Sequence, residues 1–183
     1  MKEISRRGKV WILTNKKGKL IENIDTDQIY HNEFLHITEL SQMGQYALGN
    51  LEGWKDFSAK ADPGDVIVAG RNFGAGSSRQ QAVDCFISLK INMILAPSFG
   101  AIYFRNAVNS GFPVLKCPLM EQFIESDDIR QGNSIEVNFR TGEARNETNN
   151  SHFAVEPMSQ VQFDIYQAGG LFNYGRKIKE DQS

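Results

Sequence analysis

Between residues 65 and 117 three short apolar runs alternate with two segments of helical period, and this rhythm narrows the possible folds most. Asp65-Val66-Ile67-Val68-Ala69, Asn92-Met93-Ile94-Leu95-Ala96 and Phe112-Pro113-Val114-Leu115-Lys116-Cys117 read as buried strands. The first linking segment places Ala82, Val83, Phe86 and Leu89 on one helical face. The second, Ser98 to Asn109, carries Ile102, Phe104, Ala107 and Val108 and stops at Gly111. Strand–helix–strand–helix–strand at this spacing predicts an α/β fold with a parallel βαβαβ core, because parallel neighbours need a crossover long enough for a helix.

Around that core the pattern is weaker. Lys9 to Thr14 and Ile21 to Ile24 predict short strands, and Glu39 to Leu48 predicts a helix entered from Thr38. Residues 49–63, with Gly49, Gly53 and Pro63, read as a mobile connection. In the tail, Met120 to Ser126 predicts a short helix, Ser134 to Phe139 a strand turned at residues 140–143, Phe153 to Val155 another strand, and Ser159 to Ala168 a helix. At 183 residues the chain suits one domain over residues 1–183, long enough to bury a core.

Composition excludes several classes. The formal net charge of −2 gives no support for nucleic-acid or membrane partners, and no apolar run approaches the ~20 residues that span a bilayer. Basic residues gather at Lys2, Arg6, Arg7 and Lys9 and again at Arg176, Lys177 and Lys179; both groups read as solvated termini. Cys85 and Cys117 are too few for a disulfide scaffold or a cluster, and His31, His36 and His152 show no metal-ligand spacing. No metal of its own and a cytoplasmic setting are expected.

The chemistry concentrates between the first strand and the first long helix, in Gly70-Arg71-Asn72-Phe73-Gly74-Ala75-Gly76-Ser77-Ser78-Arg79. Glycines let a backbone approach a ligand closely, and first-turn N–H groups carry partial positive charge. A hydroxyl held there can have its deprotonated form stabilised, and Arg79 can clamp a carboxylate through paired hydrogen bonds. The spacing is neither a P-loop nor a dinucleotide fingerprint. The same residues also describe a plain turn in which Ser77 or Ser78 caps the helix, and the local pattern leaves both readings open.

Three stretches carry a family resemblance: Asn23-Ile24-Asp25-Thr26-Asp27-Gln28-Ile29, Asn72 to Arg79, and Pro97-Ser98-Phe99-Gly100-Ala101-Ile102-Tyr103-Phe104-Arg105-Asn106-Ala107. They resemble motifs of the aconitase superfamily and, more narrowly, its small-subunit 3-isopropylmalate dehydratase family, with further echoes at residues 140–143 and 167–171. The resemblance implies an aconitase-type swivelling domain and a hydro-lyase of two subunits, as heterodimer or heterotetramer. In it a larger partner carries a [4Fe–4S] cluster and this chain binds no cofactor. It implies a small dicarboxylic hydroxy acid as substrate, Ser77 as the catalytic base and Arg79 as the carboxylate clamp. Ser78 supports the loop and caps the helix. Asp25, Thr26, Asp27, Asn72, Gly74 and Gly76 shape the site, with Arg105 and Asn106 bracing the cleft. After Ser-Ser-Arg the family commonly carries Glu-His-Ala, where this chain has Gln80-Gln81-Ala82.

The segment after Asp27 is expected to read the substrate's variable group. It contains no Arg or Lys before Thr38, and Leu35 and Ile37 can flank an isopropyl group, with His36 between them. This favours isopropylmalate over the extra carboxylate of a homoaconitase substrate. Citraconate or dimethylmaleate hydration, and a non-catalytic carboxylate-binding regulatory subunit, are the alternatives.

Overall fold

The computed structural model describes residues 2–181. Its elements run β1 (Ser5–Ile12), α1 (Thr26–Ile29), α2 (Leu40–Met43), α3 (Phe57–Lys60), β2 (Val66–Val68), α4 (Gln81–Ser88), β3 (Met93–Ala96), α5 (Ala101–Asn109), β4 (Val114–Lys116), α6 (Met120–Glu125), β5 (Ser134–Asn138), β6 (Glu143–Asn146), β7 (His152–Ala154), α7 (Gln160–Ala168) and α8 (Leu171–Asp181). One seven-stranded sheet of order β4-β3-β2-β1-β5-β6-β7 runs through the fold. The strands from β1 to β4 pair in parallel, and β5 to β7 add antiparallel to the other edge of β1. The predicted βαβαβ core is therefore present, extended by β1 on one side.

The two halves bury differently. Every residue of β2 and β3 is buried, as expected where helices or loops cover both faces. Ile67, Ile94 and Val114 enter a core shared with α4, α5 and residues 24–57. Val66, Val68, Met93 and Leu95 face the other way, into a core completed by Ile135, Val137, Ala144 and Phe153 of β5 to β7. Since β2 and β5 to β7 bury side chains in one core, the sheet must curl. In β5 only Ile135 and Val137 are fully buried, the alternation of a strand with one wet face.

Several local expectations are corrected. Residues 21–24 form no strand: Ile21 N–H donates to Leu13 O, whereas the Ile21 and Ile24 carbonyls accept from Gly70 and Gly74 of the glycine loop. The helix over 39–48 breaks into α2 and a 3-10 turn at Gly44–Tyr46, because Gly44 packs against α4, its N–H donating to Ser88 Oγ at 3.1 Å. Residues 49–63 contain α3 and bury Leu51 and Phe57, and Trp54 Nε1 donates to Thr14 O. Helix α5 begins at Ala101 rather than Ser98, and it buries Tyr103 and Ala107 while Ile102 stays exposed. Residues 143–146 form a strand instead of completing a turn, and α8 follows the predicted α7 after left-handed Gly169.

Candidate active site

Two segments far apart in sequence build the site. The loop from Gly70 to Arg79 leaves the carboxyl end of β2, where ligands bind in open α/β sheets. The turn at Asp25 lies against it: Asp25 and Ala75 form an isolated parallel bridge, and Thr26 N–H donates to Ala75 O at 2.9 Å. Gly74 N–H donates to Ile24 O at 2.7 Å. At Gly74 the sequence has no alternative residue. Its φ is +78°, and a Cβ there would lie 2.2 Å from the Tyr103 ring. Gly100 passes equally close, since a Cβ on it would sit 2.4 Å from Gly74 O.

The two aspartates of the Asp-Thr-Asp turn are put to separate uses. Asp25 caps α1, accepting from Gln28 N–H at 2.8 Å while Gln28 Oε1 accepts from Asp25 N–H, a capping box. Asp27 turns to the loop, and its Oδ1 lies 2.5 Å from Arg79 Nη1. Asn32 N–H and Asn50 Nδ2 donate to the same carboxylate, at 3.1 and 3.0 Å. The hydrogen bond from Arg79 is the main reason that the Asp27 carboxyl titrates below its usual range. Arg79 Nη1 also donates to Tyr30 O at 3.1 Å, so the guanidinium is held in one orientation with 17% of its side chain exposed.

Thr26 between them is buried and reaches Ser77. Its Oγ1 donates to Ser77 O at 3.1 Å and lies 3.4 Å from Ser77 Oγ. Ser77 and Ser78 are exposed, and Asn106 Nδ2 on α5 donates to Ser78 Oγ at 3.2 Å. Neither serine caps α4, which corrects the capping expectation for Ser78. The helix starts at Gln81, and its capping position is Gln80, which makes no side-chain cap bond. The serines thus stand on free loop ahead of the helix, and its dipole acts on them from farther away than a first-turn position would allow. Among the described residues, no protein acceptor is paired with the N–H groups of Gly76, Ser77 and Ser78. Three amides without a protein acceptor, beside a hydroxyl and a fixed guanidinium, are the kind of groups that can cradle an oxyanion or carboxylate.

Asn72 is an organiser: its N–H donates to Ser98 Oγ and its Nδ2 to Asn23 Oδ1, both at 2.9 Å. Gln80 bridges Asp84 and Ser110 at 2.8 Å each, and Gln81 Nε2 reaches Leu35 O at 3.4 Å. That last contact brings the 31–37 segment to the start of α4. Leu35 and Ile37 are half-buried and pack on the core, while His36 is exposed with Nδ1 2.9 Å from Glu33 O. Arg105 points out from α5 and is exposed. Sequence reasoning missed the carbonyl of Tyr30 and the amide of Asn50 as partners of Arg79 and Asp27. It also missed the seat that Tyr103 and Gly100 provide for Gly74; none of these has a local signature.

The two thiols do not fit an iron–sulfur cluster. Cys85 and Cys117 are buried in different cores, and burial raises the Cys85 thiol well above its usual value and Cys117 to about 12. Among the described residues no group of three or more His, Cys, Asp or Glu is placed to hold a metal ion, and no helix is long and apolar enough to cross a membrane.

The fold and the serine-glycine loop place the molecule in the aconitase class: residues 55–119 match the Aconitase C-terminal domain family. The narrower assignment rests on whole-chain relatives. The 3-isopropylmalate dehydratase small subunit of Caldicellulosiruptor saccharolyticus is 34% identical over 93% of this chain and 95% of its own. The isopropylmalate/citramalate isomerase small subunit of Methanocaldococcus jannaschii is 34% identical over 96% of this chain and 97% of its own. A crystal structure of 3-isopropylmalate dehydratase (LeuD) from the latter organism superposes with a TM-score of 0.83 at 30% identity, covering 97% of both chains. The chain belongs to the 3-isopropylmalate dehydratase small-subunit family.

Proposed function

We propose that this chain is the small subunit of a two-subunit hydro-lyase that interconverts 2-isopropylmalate and 3-isopropylmalate by dehydration and rehydration. The observation that carries the reading is the convergence of Ser77, Thr26, Arg79 and Asp27, from segments about fifty residues apart, with Ser77 exposed beside the others. Arg79 binds a substrate carboxylate through its free guanidinium edge, while Asp27 and Tyr30 O fix the other side and set its direction. Ser77 Oγ, as the alkoxide, takes the proton from the carbon beside the one bearing the hydroxyl. The C–H electron pair becomes the second bond of the alkene, and the hydroxyl departs from the neighbouring carbon with its C–O pair. Rehydration at the other carbon reverses these movements, with Ser77 returning the proton.

An alkoxide at neutral pH needs strong stabilisation. The unpaired N–H groups of Gly76 to Ser78 can provide it, and so can the Thr26 hydroxyl once its single proton turns from Ser77 O to Ser77 Oγ. A [4Fe–4S] cluster, which the thiols of this chain do not suit, is assigned to a larger partner subunit. Two buried free thiols accord with a cytoplasmic setting.

The test is reconstitution with a cluster-loaded large subunit from the same source, following alkene absorbance with 2-isopropylmalate, citramalate and homocitrate in parallel. Turnover of isopropylmalate that disappears in Ser77→Ala supports the proposal. Full activity in that variant overturns the mechanism, and turnover of homocitrate alone overturns the substrate. The citramalate arm matters because one 34%-identical relative carries both substrates in its name.

A further inference from the structure

The basic residues near the start of the chain are not all solvated. A cavity of about 350 Å³ lies among Lys2, Arg6, Lys90, Asn92, Ser110 and Tyr166, and its three charged wall residues are all cationic. No Asp or Glu lines it, in a chain whose net charge is negative. The volume is within the range of small-ligand sites.

The wall is organised before any ligand arrives. Tyr166 serves two of the cations: Lys2 Nζ stands 4.7 Å from its ring centroid, and its hydroxyl accepts from Arg6 Nε at 3.3 Å. Tyr166 is in turn anchored by its O–H donating to Glu3 O. Arg6 Nη1 donates to Asn92 Oδ1 at 3.3 Å, and Asn92 Nδ2 donates to Arg7 O, fixing the guanidinium plane. The carboxylate paired with Arg6 is that of Glu3, 3.7 Å from Nε, and its side chain is 77% exposed. Half-buried Lys2 loses solvation, and Arg6 repels it; both hold its ammonium below the usual lysine pKa.

Lys90 adds a backbone observation. It follows the end of α4 with φ +59°, a left-handed position where glycine or asparagine is the ordinary choice. Its N–H donates to Ile87 O and its carbonyl accepts from Gly64 N–H, so the strained residue is locked in place. Lys90 is one of the residues that line the cavity, and its main chain there is held on both sides.

We propose that this cavity is a second ligand site, separate from the Ser77–Arg79 loop, and that it binds a small dianion, either a phosphate or a dicarboxylate. The dianion is held by the three cations of the wall, Lys2, Arg6 and Lys90, and offsets the repulsion between Lys2 and Arg6. The site touches the catalytic region at one point, because wall residue Ser110 is bonded to Gln80, the neighbour of Arg79.

The experiment is calorimetric titration of the full chain with inorganic phosphate and, separately, succinate, against sodium chloride at equal ionic strength. It is repeated in an Arg79→Gln background, which lacks the loop's carboxylate clamp, with and without the double variant Lys2→Gln/Lys90→Gln. At least one dianion is expected to bind Arg79→Gln saturably, with affinity about tenfold weaker once the double variant is added. Phosphate alone, succinate alone, or both each support the site and say which chemistry it selects. No heat beyond the chloride control in Arg79→Gln, or unchanged affinity when the double variant is added to it, overturns the site. If the double variant melts early, amide NMR of the unmodified chain decides: shifts that saturate with the dianion at Asn92 and Gly111 support the site, and their absence overturns it.

Discussion

The loop from Gly70 to Arg79 and the segment from Tyr30 to Thr38 meet at Arg79, and they are fixed by different means. Backbone fixes the loop: Gly74 is pressed on Tyr103 and passed by Gly100, and its amide is tied to Ile24 O. Side chains fix the segment. Phe34 stacks on Tyr46 at 4.0 Å, Tyr30 is buried edge-on to both rings, and Leu35 and Ile37 lean on the core. A backbone-fixed wall admits no change at its contact points, which suits groups that must be placed for chemistry. A wall fixed by side chains can be repacked without moving its main chain, which suits a surface that reads the variable part of a substrate.

The hardest way to break this contrast is Gly74→Ala. The methyl would meet the Tyr103 ring at 2.2 Å in a backbone conformation that alanine avoids, so either the loop or α5 must move. We expect a loss of several kcal/mol, read as an early urea midpoint, together with loss of all activity in the reconstituted enzyme. A native midpoint would show that the loop is less tightly seated than its contacts imply.

Ser77→Ala separates chemistry from seating. Ser77 is exposed, and its hydroxyl has one neighbour, Thr26 Oγ1, so the melting temperature should stay within a degree or two. The rate should fall by about 10²–10⁴-fold, the usual worth of a positioned acid–base group. Equal losses of stability and rate would make Ser77 a structural residue.

What the sequence made legible follows the same division. The parallel core was readable because strands buried on both faces are continuous apolar runs, and the glycine loop because only glycine meets its demands. Residues 21–24 were not, since their carbonyls bond to a loop about fifty residues later instead of to a neighbouring strand. Nothing near Gly44 announces that Ser88 will receive its N–H and tighten the helix. Strand β6, Glu143-Ala144-Arg145-Asn146, has one apolar residue, and its buried Asn146 is satisfied by Asp128 O and Asn133 Oδ1. At the site, the motifs were visible as motifs. The division of work between Asp25 and Asp27 was not, because it depends on which carboxylate faces Arg79.

Asp27→Asn tests the hinge between the two walls. It removes the charge that holds Arg79 with little change of shape, and its one carbonyl oxygen can accept from Asn32 N–H or from Asn50 Nδ2 but not from both. KM for the substrate should rise about tenfold with a smaller change in kcat, as for a residue that positions a binding group. The pH sign follows from the depressed carboxyl. A carboxylate lowered below its unfolded value of 3.8 contributes above that value and loses its contribution as pH falls through the folded one. The Asp27–Arg79 pair should therefore persist through pH 4 and open only below the ordinary carboxylate range, seen as a carboxyl carbon shift by NMR. Opening at pH 5 would break the assignment of Arg79 as the holder of that charge.

Leu35→Ala should have the smallest effect and sharpen the contrast most. Leu35 is half-buried, so truncation costs part of the core packing, about 1–2 kcal/mol of stability, whatever its role. If its exposed part also contacts the isopropyl group, kcat/KM for isopropylmalate should fall several-fold while that for citramalate, with only a methyl at the corresponding carbon, changes little. A methylene's worth of apolar contact, about 0.8 kcal/mol by area, corresponds to a ratio of roughly fourfold between two such substrates. Equal losses for both would assign Leu35 to packing alone and return the reading of the side group to Ile37 or His36. Because the main chain here is held by Phe34, Tyr30 and the Gln81 contact to Leu35 O, none of which the substitution removes, a change in the ratio reports the side chain and not a displaced segment.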